Sequence, residues 1–142
     1  MEKEKIEADF ELNPSGEVTP KWDSNVDISS KIKAAYKIRV NGVVTKIGST
    51  QQSPSKCVWA FKNGQKNGDP SKTTLHVFKE INNALLGKKK VTIEFIQVKG
   101  KKTPKDLCDE LIKEYKKQND GRAPEWNKQS NKEKWEYCKK EG

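Results

Sequence analysis

The sequence predicts an α+β fold, a small antiparallel three-stranded sheet flanked by helices. Three observations lead there. From Ala34 to Gly48 two apolar-rich runs flank Asn41-Gly42, a pair whose residues both tolerate the positive φ of a type I′ turn, so the stretch predicts a β-hairpin. Two amphipathic segments with apolar residues three and four apart follow it, then the β-branched and aromatic run Val91 to Val98, then a third amphipathic segment.

In order, residues 1–30 hold eight acids against three lysines, with Pro14, Gly16, Pro20 and scattered apolar residues. No period of 2 or 3.6 persists there, which predicts an acidic, extended N-terminal arm, either docked through Phe10, Val18 and Trp22 on the domain or on a second copy of it, or left as a solvated tail. The domain proper is read as residues 31–130. In its hairpin Tyr36, Ile38 and Val40 alternate with Lys37 and Arg39, and Val44 and Ile47 bracket Lys46 on the return. One face can therefore be buried, with Tyr36 and Lys46 near each other at the open end.

Ser53 as cap and Pro54 at the first helical position open a short helix that Gly64 closes, with Cys57, Val58 and Phe61 inward and Lys56, Lys62 and Lys66 on the other side. Ser71 caps a second helix with Leu75, Phe78, Ile81, Leu85 and Leu86 inward, ended by Gly87. Val91, Ile93 and Phe95 alternate with Thr92 and Glu94 in a strand expected to pair with the hairpin. Thr103 and Asp106 form a capping-box pattern ahead of Leu107, Leu111, Ile112 and Tyr115, a third helix bounded by Gly121 and Pro124. Residues 131–142 are a Lys/Glu-rich tail, read as helical.

The chain has 142 residues, enough for one domain, and its hydrophobic content of 32% allows only a small core. Its net charge of +9 is unevenly spread, since 26 of the 29 Lys and Arg but only 12 of the 20 acids follow residue 30. A domain that basic predicts a polyanionic partner, nucleic acid first and an anionic membrane surface second, against the plainer alternative of a solvated surface. The three cysteines are too few and too far apart for a disulfide framework or a CxxC knuckle, so reduced thiols are expected. No apolar run approaches the ~20 residues of a bilayer span, and the N-terminus lacks a signal peptide's apolar core. A soluble, cytoplasmic protein is expected.

Tyr36-Lys37-Ile38 on one strand, Lys46-Ile47-Gly48 on its partner, the helix opening from Ser53 to Gly64 directly after, and the late Pro124-Glu125-Trp126-Asn127 stand in a telling order. Over about residues 34 to 130 the chain resembles the GIY-YIG nuclease superfamily, in the branch that reads KIG in place of YIG, which holds restriction-endonuclease-like and phage-type domains. The resemblance implies hydrolysis of a DNA phosphodiester with one divalent ion, Mg²⁺ or Mn²⁺, whose chemistry favours carboxylate oxygens. Carried over by position, Tyr36 would be the general base and Lys46 the second-strand residue.

Elsewhere the pattern departs. The family's first-helix arginine aligns best with Cys57, and Phe61 stands one turn on, where tyrosine or histidine is usual. The phosphate cation then falls to Lys56, displaced by about 100° around the helix and a point charge rather than a fork. The family's metal carboxylate lands near Cys108; Glu110 is preferred on chemistry and Asp109 second, since a thiolate there would suit a softer ion. His76, the only histidine, is a candidate to assist, with an inert helical position as the alternative. Arg39, Lys62, Lys66, Lys88, Lys89, Lys90, Lys101, Lys102, Arg122 and Asn127 are the candidate nucleic-acid contacts. A palindromic target would imply a twofold dimer, with the arm as the exchanged surface. The rival reading is a catalytically lapsed scaffold that binds nucleic acid or a protein.

Overall fold

The Asn41-Gly42 turn forms as its residue types require, with φ of 51° and 83°. In the computed structural model, which describes residues 6–22, 27–63, 65–66, 69–70, 72–98 and 100–127 and only the backbone within 60–75, this turn joins β3 (Ala34–Val40) to β4 (Val43–Thr50). The other elements are β1 (Ile6–Leu12), β2 (Val18–Trp22), α1 (Pro54–Asn63), β5 (Gln65–Lys66), β6 (Asp69–Pro70), α2 (Lys72–Leu86), β7 (Val91–Gln97) and α3 (Pro104–Gln118). The Lys/Glu-rich tail and the Ser71 cap lie outside the described residues.

The main sheet is antiparallel and has five strands rather than three, in the order β2-β1-β7-β3-β4; β5 and β6 form a separate two-stranded ribbon. The two extra strands come from the stretch expected to be an arm. Ile6, Ala8 and Phe10 alternate with Glu7, Asp9 and Glu11, so the first three bury against the core while the acids stay on the other face. The Asn13 side-chain oxygen accepts from the backbone of Ser15 and Glu17 at 2.9 Å each, which turns the chain into β2.

The helices cover the two faces of this sheet. On one face Val58 of α1 and Val77, Ile81 and Ala84 of α2 pack on Ile6, Phe10, Tyr36, Ile38, Val91, Ile93 and Phe95. On the other, Cys108 of α3, with Leu107, Leu111, Ile112 and Tyr115, packs on Ala35, Val44 and Ile47. Ile38, Ile81 and Ile93 are fully buried and each contributes about 1.5–3 kcal/mol. The Arg39–Glu94 ion pair across β3 and β7, 2.8 Å long and partly exposed, contributes at most about 1 kcal/mol. The apolar face therefore sets the strand register, because a one-residue slip would expose it.

The N-terminal ends of α1 and α3 follow the sequence signals, while the Gly64 end of α1 lies outside the described residues. The backbone of Lys56 donates to the Ser53 hydroxyl at 3.2 Å, and Thr103 and Asp106 form a reciprocal capping box. One expected core residue of α2 is displaced: Leu86, in the last turn, is 63% exposed, because Ala84 and Leu85 already complete the inward stripe there. Among the described residues no helix is long and apolar enough to cross a membrane.

Candidate functional site

The hairpin register is what brings the site together. Counted from the turn, Val40 pairs with Val43 and Arg39 with Val44, but Ile38 then pairs with Lys46, leaving Thr45 as an extra residue. This β-bulge shifts the rest of β4 by one position, so Tyr36 pairs with Gly48 instead of Ile47. Without it Lys46 would stand opposite Lys37, on the α3 face. With it Lys46 and Gly48 both lie on the face of Tyr36 and Ile38. The Thr45 hydroxyl donates to the Ile38 carbonyl at 3.1 Å, and the Thr45 carbonyl accepts from the Trp126 backbone at 2.7 Å, so the bulge is held from both sides.

Tyr36 sits on a glycine seat. A Cβ added to Gly48 would overlap the Tyr36 hydroxyl and ring, so only glycine admits the ring in this place. The ring is buried and packs at a tilt against Phe95, their centroids 6.2 Å apart. Burial holds the phenol well above its ordinary range, and the nearby thiols of Cys57 and Cys108 push in the same direction. Lys46 is also buried, at 8% exposure. Burial likewise raises the Cys108 thiol, Asp109 adds to that, and the charges of Lys46 and Lys105 oppose it. Cys57 packs against the core on the Tyr36 face, while Cys108 packs on Ala35 and Ile47 from the α3 face.

The two candidate carboxylates are elsewhere. Cys108 is the residue of this α3 turn directed at the sheet, while Asp109 and Glu110 are exposed. Glu110 accepts from the Lys102 ammonium at 2.8 Å and Asp109 from Lys105 at 3.1 Å. Among the described residues no group of three or more His, Cys, Asp or Glu side chains is placed to hold a metal ion. His76 lies on α2, which packs over β1, β7 and α1, with its Nδ1 3.8 Å from Glu80 on the next turn.

Asn127 serves the edge of the sheet. Its side-chain oxygen accepts from the Ile47 backbone at 2.9 Å and its nitrogen donates to the Ile47 carbonyl at 2.7 Å, so a buried side chain takes the place of a sixth strand. Trp126 beside it is buried against the Tyr36 face.

The basic candidates fall at two ends. Lys88, Lys89 and Lys90 are exposed beside the Asn41 turn, where the Lys90 backbone and Asn41 exchange hydrogen bonds. Lys101 and Lys102 are exposed at the opposite end of β7, about 20 Å away at the usual rise per strand residue. Exposed Lys31 and Lys33, which the sequence reading passed over, join that second end, since the Val98 backbone donates to the Lys33 carbonyl. Lys56 is exposed on α1, Arg122 is exposed after α3, and Arg39 is engaged by Glu94. The side chains of Lys62 and Lys66 lie outside what the structure describes.

No protein-family profile matches the chain, and no curated protein matches it. Its fold is similar to that of a solved structure of a mutant of bacteriophage T4 EndoII, with a TM-score of 0.59 over 86% of this chain and 91% of that one, at 20% identity. At that identity the likeness is one of fold.

Proposed function

We propose that the chain binds DNA on a GIY-YIG-type scaffold without hydrolysing it. One observation supports this reading above the others. At the places where the resemblance calls for an arginine and a metal carboxylate stand Cys57, packed against the core on the Tyr36 face, and Cys108, the inward residue of α3, packed on Ala35 and Ile47. Magnesium and manganese take oxygen ligands, and thiolates suit softer ions. The residues present therefore do not fit Mg²⁺ or Mn²⁺.

A buried phenol with a raised pKa is also a weak general base near neutrality, because its deprotonated form is scarce. What the chain keeps is cationic surface. Lys46 and Lys56 are the proposed partners of a backbone phosphate near Tyr36, and Lys101, Lys102, Arg122 and the Lys88 to Lys90 run the partners of phosphates further along. Cys57 and Cys108 are not joined in a disulfide, as a reducing compartment would keep them.

The test is incubation of the protein with supercoiled DNA in Mg²⁺, in Mn²⁺ and in chelator, beside a binding titration. No nicking is expected in any of the three, together with binding that weakens steeply as salt rises. A second reading, a divalent-metal-dependent endonuclease of restriction or phage type, is favoured by the seating of Tyr36 on Gly48 with Lys46 on the same face. It requires nicking that is lost in both Tyr36→Phe and Glu110→Ala, a result that would overturn the binding-only reading.

A further inference from the structure

On α1 the structure exposes a large aromatic ring that the proposed function does not use. Trp59, on α1, is 43% exposed although Val58 beside it is fully buried. Ser55 and Lys56 precede it by four and three positions, so the three residues share the outward face of the helix. The segment leading into β3 crosses the start of the same helix: the Ser55 backbone donates to the Ile28 carbonyl at 2.9 Å and the Ile32 backbone to the Gln52 carbonyl at 3.3 Å. Ile32 turns inward to the core, which leaves its neighbours Lys31 and Lys33 exposed. The acid nearest in sequence, Asp27, is held by the hydroxyls of Ser29 and Ser30. Lys101, one residue beyond Gly100, extends the basic rim past Lys33.

An exposed tryptophan on a helix face that carries Lys56, with Lys31 and Lys33 on the segment crossing the helix start, offers two recognition terms together. A ring face stacks on any base that is not already stacked on both sides, and the ammonium groups take the phosphates flanking that base. An intact duplex offers only the second, since its bases are enclosed in the stack. Resting on the proposed binding of DNA, we infer that Trp59, with Lys31, Lys33 and Lys56 around it, is a platform for an unpaired base, and that the chain prefers single-stranded or locally unpaired DNA to duplex.

The test is a fluorescence anisotropy titration of the full chain with a labelled oligonucleotide, single-stranded and then annealed to its complement, over a series of salt concentrations. Wild type should bind the single strand more tightly. Trp59→Ala should weaken single-strand binding by about five- to a hundredfold and change duplex binding by less than about twofold, with Trp59→Phe retaining most of the preference. Lys33→Ala should keep the preference and reduce the salt slope on the single strand by about 0.7. Circular dichroism of each variant shows that it is folded. If Trp59→Ala leaves single-strand affinity unchanged, or lowers both affinities alike while folded, the platform is overturned and the binding of DNA stands. Absence of binding to either oligonucleotide by wild type overturns both. Equal binding to phosphatidylserine vesicles, with the same dependence on Trp59, overturns the platform in favour of an anionic membrane.

Discussion

Gly48→Ala tests the seat under Tyr36 directly. The added methyl would lie where the Tyr36 hydroxyl and ring lie now, and the ring is a buried body held against Phe95 instead of a flexible chain end that swings away. Overpacking of this kind costs about 1–3 kcal/mol, and a rigid neighbour puts the figure near 3. Against that, alanine in a strand is favoured over glycine by about 0.5–1 kcal/mol. The net loss is about 2 kcal/mol, which at a urea dependence of about 2 kcal/mol per molar moves the unfolding midpoint down by about 1 M. In a Tyr36→Ala background the methyl enters space the ring has vacated, so Gly48→Ala should be neutral or slightly stabilising there. The coupling between the two sites is then about 2–3 kcal/mol, well outside additivity for independent positions. Equal cost of Gly48→Ala in both backgrounds would refute the seating of the ring on this glycine, and with it the register that the bulge imposes.

Further expected outcomes concern stability. Asn127→Ala leaves the Ile47 N–H and carbonyl without their partner and should cost about 2–4 kcal/mol, with the Ile47 amide exchanging with solvent measurably faster; unchanged exchange would show that the edge closes by other means. Tyr36 in the fold titrates above its ordinary 10.0 and Cys108 above 9.0, so the folded chain retains protons that the unfolded chain releases. The stability these groups contribute is complete below about pH 9 and falls as pH rises toward the folded values, by up to about 1.4 kcal/mol per pH unit for each proton. Tyr36→Phe should flatten the upper part of that alkaline decline in urea midpoints, and an unaltered slope would refute the burial of the phenol. Arg39→Met should shift stability by less than about 1 kcal/mol, since the pair it breaks is partly exposed; a larger loss in thermal or urea unfolding would mean that Glu94 cannot be rehydrated.

The hairpin was legible because Asn41-Gly42 is a local signal with a local cause, and α3 because its cap and its stripe agree. The N-terminal strands were not, although Ile6, Ala8 and Phe10 alternate: acids are depleted in strands, and here they occupy the face of β1 turned away from the core. At the site, Tyr36 and Lys46 could be named as neighbours from the sequence, but the reason lies in Thr45, whose extra place in β4 is a tertiary outcome fixed partly by Trp126, over eighty residues downstream. Asp109 and Glu110 were attractive as ligands because their chemistry was right; one turn of helix decides instead that Cys108 faces inward. Lys31 and Lys33 escaped notice because a basic rim assembled from separate segments has no signature in either one.

The side chain that clasps Ile47 also governs how this molecule meets others of its kind. A sheet can grow only from an edge with spare backbone donors and acceptors. At β4 the Thr45 carbonyl and the Ile47 N–H and carbonyl are taken by Trp126 and Asn127, and among the described residues β2 is the other edge of the sheet. There Pro20 supplies no donor and Lys21 is exposed, two features that discourage strand addition. Over the described residues, pairing is interrupted on one side by a borrowed amide and discouraged on the other by proline, so both edges work against self-association by continuous β-pairing.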